Sequence, residues 1–98
     1  MIKYLDMIFD CDKVKAKTNR NKHGVTFNEA MTVFGDSDAM YMEDKKHSEY
    51  EERFMVLGKS EKSKLLMVCH CYRDDEKVIR LISARKANKI ESKLYGGA

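Results

Sequence analysis

Several features that would mark a secreted or membrane-spanning protein are missing from this 98-residue sequence. It has no apolar run near the roughly 20 residues that span a bilayer, and its first residues do not join a basic stretch to a long apolar one. Its three cysteines are an odd number without the spacing of a secreted disulfide framework. We therefore expect no membrane span, no secretion signal and a reducing cytoplasmic location.

Proline, internal repeats, low-complexity segments and linkers are absent too. Hydrophobic residues make up 43% of the chain and charged residues 36%, which is typical of a globular protein and unlike a disordered one. Because a chain of this length supports one modest hydrophobic core, we predict a single domain over residues 1–98.

The common catalytic and cofactor-binding motifs are also missing. The sequence contains no Walker loop, no dinucleotide-binding glycines, no nucleophile elbow and no zinc-protease HExxH. Cys69-His70-Cys71 has the residue types of a metal site, but a strand would place its two thiols on one face and the imidazole on the other. We interpret the cysteines as core residues and predict neither a metal nor a cofactor.

Charge is unevenly distributed along the chain, whose net charge is +3. Residues 13–22 carry five basic side chains and no acidic one, and residues 77–93 carry six basic side chains against one acid. Residues 36–52 carry seven acidic side chains against two lysines. A basic face suits phosphate or an acidic protein partner, although the same pattern is equally typical of a solvated helix surface.

The apolar pattern predicts an α+β fold in the order β-α-α-β-β-β-β-α. We place strands at residues 7–9, 39–42, 53–57, 65–72 and 78–83, with a polar turn at 73–77 that makes the last two a hairpin. The pattern indicates a mostly antiparallel sheet of four to five strands, its core in residues 39–83, with two N-terminal helices packed on one side and one C-terminal helix.

Helix boundaries are predicted from capping residues. Asp10 or Asp12 caps a basic helix that runs to about residue 23 and ends at Gly24. Thr26 and Glu29 form a capping box for the next helix over residues 27–34, whose expected buried face contains Phe27, Met31 and Phe34. Ser83 is expected to cap the last helix, in which Ala87, Ile90 and Leu94 form an apolar seam that ends at Gly96 and Gly97.

Three arginines are candidates for an anion site. Arg80 lies within an apolar strand, where a guanidinium needs either a partner or an open cleft, so an internal salt bridge or an edge position is an equal alternative. Arg53 begins its strand and Arg85 is expected to open the last helix. If they converge, they form a phosphate-sized cationic site, because the planar arginine fork matches phosphate oxygens. His23 and His47 are the natural proton carriers at neutral pH.

Three blocks of the sequence resemble the BrnT toxin family. Residues 22–27 read KHGVTF, residues 47–54 read HSEYEERF with GKS at 58–60, and residues 79–87 read IRLISARKA with Glu91 and Tyr95 following. The resemblance implies a RelE-like fold and a type II toxin that cleaves RNA and inhibits translation. It also implies a BrnA antitoxin with a ribbon-helix-helix DNA-binding domain, and a toxin–antitoxin heterotetramer that binds operator DNA through the antitoxin.

RNA carries its own nucleophile, the 2′-hydroxyl, so a ribonuclease of this kind needs a base, an acid and cations but no metal. We expect Arg53, Arg80 and Arg85 to bind phosphate, with Lys22, His23 or His47 in proton transfer. Glu51 or Glu52 is a further candidate, either as the base or as a partner of an arginine. The alternative is a non-enzymatic basic module that binds a protein or RNA, which tolerates these side chains dispersed over the surface.

Overall fold

The computed structural model describes residues 1–47 and 49–95. Within these residues the chain forms a six-stranded sheet, three α-helices and two short 3-10 turns. The strands are β1 (Ile2–Tyr4), β2 (Met7–Asp10), β3 (Met40–Glu43), β4 (Phe54–Lys59), β5 (Leu65–Arg73) and β6 (Val78–Lys86). The helices are α1 (Lys13–His23), α2 (Phe27–Thr32) and α3 (Lys89–Leu94), and the 3-10 turns are Val33–Gly35 and Lys45–His47.

The order across the sheet is β1-β2-β6-β5-β4-β3. Strands β3 to β6 pair antiparallel, as predicted, and β1 pairs antiparallel with β2. Strand β2 runs parallel to β6, so the sheet is mixed and has six strands rather than the four to five predicted, although it is mostly antiparallel as expected. The α+β class was correct. The pairing of β2 with β6 joins distant parts of the sequence, since α1, α2 and three further strands lie between β2 and β6.

The first two helices begin and end close to the predicted residues. Asp12, not Asp10, caps α1 by accepting hydrogen bonds from the next helical amides, and Gly24 ends it in the left-handed region at φ 70°. Thr26 caps α2 by accepting from the Glu29 amide. The predicted capping box is only half formed, because the buried Glu29 carboxylate instead accepts a 2.7 Å hydrogen bond from the Ser60 hydroxyl.

Helix α2 packs on one face of the sheet and closes the hydrophobic core there. Phe27, Met31 and Phe34 are buried, as predicted. The core also contains a fully buried histidine, His70, whose ring centroid lies 4.9 Å from that of Phe34 and 5.4 Å from that of Tyr72. Burial lowers the pKa of His70 to about 4, so the imidazole is neutral at physiological pH.

Helix α1 lies along the edge of β6 and also contacts α2. Asn19 is the one buried residue of this helix. The Asn19 amide donates to the carbonyl oxygens of Ala84 at 2.8 Å and Val25 at 3.0 Å, and its oxygen accepts from the Ala84 amide at 2.9 Å. Asn19 therefore takes the place of a neighbouring strand where β6 extends beyond β2.

The predicted start of the last helix was wrong. Strand β6 continues through Ser83 and Arg85 to Lys86, because these residues pair with the first half of β5, and α3 is capped by Asn88. Ala87 precedes the helix, and Ile90 and Leu94 remain 74% and 49% exposed, so no apolar seam forms. Gly96 and Gly97, predicted to end this helix, lie outside the described residues. No helix in the described part of the chain is long and apolar enough to cross a membrane.

Candidate active site

A β-bulge in β6 shapes the open face of the sheet. Cys69 of β5 pairs with Ser83, whereas His70 pairs with Leu81, so β6 carries Ile82 as an extra residue. The parallel pairing with β2 ends at Arg80, two residues earlier. After that point β6 keeps one strand neighbour, β5, and has α1 along its other side.

Two adjoining cavities open at this bulge and share Arg53, Ile82 and Ser83. The first, of about 310 Å³, lies against α1 and is also lined by Val14, Lys15, Thr18, Asn19, Lys22 and His23. The second, of about 290 Å³, lies against the β3–β4 connection and is also lined by Asp44, His47, Met55, Cys69 and Arg85. We call them the α1 cavity and the His47 cavity.

The α1 cavity receives Lys22 and His23 because both lie in the last turn of α1. This end of the helix carries the negative end of the helix dipole, which favours cationic side chains. Gly24 then turns the chain away in its left-handed conformation, so the helix stops with both side chains at the cavity.

The His47 cavity contains a carboxylate–imidazole pair. The Nδ1 atom of His47 lies 3.1 Å and 3.3 Å from the two carboxylate oxygens of Asp44. The short 3-10 turn over residues 45–47 brings the two side chains together. Asp44 was not among the residues selected from the sequence, although its spacing of three before His47 was visible there.

Arg85 reaches the same cavity from β6 and is held by Glu91 of α3. Its two terminal nitrogens bind the two Glu91 oxygens at 2.7 Å and 2.8 Å. This bidentate pair raises the pKa of Arg85 and lowers that of Glu91, so both remain charged. The guanidinium is therefore fixed in orientation, and the carboxylate offsets part of its charge.

Glu51 lines neither cavity and takes part in a network of ion pairs. One carboxylate oxygen lies 2.5 Å from Nη1 of Arg73, and the other lies 3.7 Å from Nε of Arg53. The hydrogen bond from Arg73 lowers the pKa of Glu51. A carboxylate held in this way is a positioning partner for Arg53 more readily than it is a base.

Arg80 is also placed outside the two cavities. Its Nη1 atom lies 2.7 Å from Oδ2 of Asp10, the residue opposite it in the parallel pairing with β2. Of the three arginines expected to converge, Arg53 and Arg85 line the His47 cavity, and Arg80 forms the salt bridge that was the stated alternative.

Cys69 and Cys71 are buried, as predicted, whereas Cys11 is only half-buried. Burial raises the pKa of the Cys69 thiol to about 11, so this wall of the His47 cavity is a neutral thiol and not a thiolate nucleophile. Across residues 1–47 and 49–95, no three His, Cys, Asp or Glu side chains gather in a group that could hold a metal ion.

The site and the fold define a class: a small α+β protein whose open sheet face carries a cationic cleft with two histidines. The profile of a family described as "Ribonuclease toxin, BrnT, of type II toxin-antitoxin system" matches residues 11–91. The chain therefore belongs to the BrnT family of ribonuclease toxins.

A solved structure agrees with this fold. The crystal structure of the Brucella abortus ribonuclease toxin BrnT superposes with a TM-score of 0.65, covering 85% of this chain and 99% of that one at 22% sequence identity. At this identity the likeness speaks for the fold alone. A comparison with curated proteins gave no match.

Proposed function

We propose that this protein is a toxin that cleaves RNA internally without a metal cofactor and thereby inhibits translation in the cytoplasm. The observation that carries the proposal is the gathering of Lys22, His23, His47, Arg53 and Arg85 around two adjoining cavities. A binding module tolerates dispersed charges, whereas acid–base chemistry needs its groups within reach of one phosphate.

The arrangement suits attack by the 2′-hydroxyl on the adjacent phosphate. In an in-line displacement the attacking and leaving oxygens lie on opposite sides of phosphorus. Arg53 lines both cavities, with Lys22 and His23 on the α1 side and His47 on the other. A phosphate at Arg53 would therefore have a proton acceptor on one side and a proton donor on the other, while Arg53 and Arg85 stabilise the developing negative charge.

The test is cleavage of an end-labelled RNA by the purified protein in excess EDTA. We expect internal cleavage that leaves a 2′,3′-cyclic phosphate and a 5′-hydroxyl, and no cleavage of the same oligonucleotide with a 2′-deoxy sugar at the cut site. A requirement for added divalent metal, or cutting at the 2′-deoxy position, would contradict the proposed chemistry. RNA binding without cleavage would favour the binding module.

We further propose that a BrnA-like antitoxin with a ribbon-helix-helix domain neutralises the toxin in a heterotetramer. Membership of a type II toxin–antitoxin family supports an antitoxin partner. Operator DNA would then be bound only through that antitoxin. The basic residues 13–23 and 77–93 are the proposed contact surface, so the antitoxin segment that covers them should be acidic.

Association with the antitoxin should slow as salt is raised, because exposed charges are screened over about 8 Å at physiological ionic strength. Stopped-flow measurements at rising salt check this expectation. An interface confined to the acidic residues 36–52 would contradict the proposed surface. Induction in bacteria with labelled RNA, with and without the antitoxin, tests whether RNA cleavage accompanies growth arrest.

A further inference from the structure

We propose that Asp44 is a positioning residue for His47 and makes this histidine the general base of RNA cleavage. The proposal rests on the proposed function, since it assigns a role within that reaction. It comes from the carboxylate–imidazole pair in the His47 cavity, in which Nδ1 of His47 lies 3.1 Å from the nearer Asp44 oxygen.

The pair fixes the position of the imidazole proton. An ionised carboxylate can only accept hydrogen bonds, so the His47 nitrogen that faces it must be the donor. Nδ1 therefore carries the proton in the neutral ring, and Nε2 is left with a lone pair. A ring in this tautomer can remove a proton from a substrate through Nε2, whereas the opposite tautomer cannot.

Burial agrees with this division of roles. The Asp44 side chain is 14% exposed and the His47 side chain is 59% exposed, so the carboxylate lies at the back and the ring at the mouth of the cavity. The second histidine of the site is different. Among the residues that the structure describes, no carboxylate lies within 4.0 Å of the His23 ring.

The backbone links this pair to the phosphate-binding side chains. The Asp44 amide donates a 2.8 Å hydrogen bond to the Arg53 carbonyl, which extends the β3–β4 ladder by one residue. The His47 amide donates to the Asp44 carbonyl at 3.3 Å and closes the 3-10 turn. Asp44 thus holds the ring and the start of β4 in one unit, so that His47 faces the same cavity as Arg53 and Arg85.

The proton balance of the step follows. Nε2 of His47 takes the proton of the 2′-hydroxyl as the bond from O2′ to phosphorus forms. The bond from phosphorus to O5′ breaks, and Lys22 or His23 across Arg53 donates a proton to the leaving oxygen. Asp44 keeps its charge and stabilises the imidazolium that forms, as carboxylates do in other acid–base pairs.

The first arm of the test is nitrogen NMR of the histidine rings in the full-length protein without RNA. We expect Nδ1–H for neutral His47 in the wild type and loss of that preference in Asp44→Ala. If Asp44→Ala unfolds the turn, the isosteric Asp44→Asn variant provides the same test, because asparagine removes the charge and keeps the size of the side chain. The matched control is Glu43→Gln, which removes one exposed carboxylate from the adjacent position and should leave the tautomer unchanged.

The second arm is kinetic. Loss of an orienting carboxylate costs roughly 10- to 100-fold at metal-bound histidines, and we expect a fall of that order in kcat for Asp44→Asn with little change in KM. In a His47→Ala background the same substitution should have no further effect, since Asp44 acts through the ring.

The outcomes separate this inference from the proposed function. Nε2–H on wild-type His47, or wild-type kcat in Asp44→Asn, would overturn the positioning role while RNA cleavage stood. An equal loss from Asp44→Asn with and without His47 would overturn it also. Failure of the wild type to cleave RNA would remove both, whatever the tautomer.

Discussion

The two halves of β6 have different neighbours. The first half is part of the continuous sheet, whereas the second half lines the candidate active site. The first half, residues 78–80, has a strand on each side, and its arginine, Arg80, is paired with Asp10. The second half, residues 82–86, has β5 on one side and α1 on the other, and it lines both cavities. We call residues 78–80 the closed half, because strands flank them on both sides, and residues 82–86 the open half, because they line the cavities. The bulge at Ile82 lies where the open half begins.

The largest effect is expected from Arg53→Ala, because Arg53 is common to both cavities beside the open half. Removal of a charge-stabilising donor raises the barrier by roughly 3–4 kcal/mol, so kcat/KM should fall by about two to three orders of magnitude. Lysine should rescue poorly, since it lacks the arginine fork. The measurement is cleavage of labelled RNA, with urea unfolding as a control for folding. Wild-type activity in Arg53→Ala would remove the cavities as the site.

The next effect concerns His70, which pairs with Leu81 beside the bulge. Burial lowers its pKa from 6.5 to about 4, so between these values the unfolded chain binds a proton that the folded chain does not. The free energy of unfolding should therefore keep its whole contribution from neutral His70 above pH 6.5. It should fall by about 3 kcal/mol in all as the pH drops towards 4.

Urea unfolding of the wild type and of His70→Phe across this pH range measures that contribution. The variant should lose the part of the pH slope that His70 causes, even if the larger ring changes its stability at neutral pH. If the free energy of unfolding changes equally with pH in both proteins, burial does not keep His70 neutral in the folded state.

A somewhat smaller loss is expected from Asn19→Ala, which removes the edge partner of the open half. The Ala84 amide and carbonyl would lose their hydrogen bonds to the Asn19 side chain in a buried environment. Unsatisfied buried groups cost roughly 1–3 kcal/mol each, so we expect the free energy of unfolding to fall by about 2–3 kcal/mol. Asn21→Ala, at an exposed position on the same helix, is the control. Equal stability of the two variants would show that the edge needs no partner.

The smallest effect is expected from Arg80→Ala in the closed half. The salt bridge to Asp10 is partly exposed, with side chains 28% and 32% accessible, so its loss should cost about 1 kcal/mol or less. RNA cleavage should stay within a few-fold of the wild type. The sequence had suggested that Arg80 binds the phosphate of the substrate, in which case the same substitution would greatly reduce cleavage. A folded Arg80→Ala protein with the activity of Arg53→Ala would break the proposed division of β6.

Local sequence patterns predicted the elements whose residues decide their own structure. Asp12, Gly24 and Thr26 mark helix ends through their own side chains or backbone freedom. The β5–β6 hairpin was predictable for the same reason, since two apolar runs flank a polar turn. The gathering of basic residues could be anticipated from the family resemblance, although not from their spacing.

The features that the sequence did not predict depend on contacts between residues that local patterns do not reveal. Ser83 and Arg85 lie in a segment whose local pattern suits a helix start, but pairing with Cys69 and Met67 keeps them in β6. Strand β1 is short and its Ile2 is exposed, so no buried alternation revealed it. Asp44 had several acidic neighbours of equal appearance in the sequence, and only the turn over residues 45–47 selects it as the partner of His47.

The most direct test of the division of β6 is a map of backbone amide shifts on titration with an RNA analogue that has a 2′-deoxy sugar at the cut site. Binding over the open half should shift the amides of residues 82–86, together with those of Lys22, His23 and Arg53, and leave residues 78–80 and β2 nearly unchanged. Shifts centred on Arg80 and Asp10, with residues 82–86 unaffected, would contradict the account.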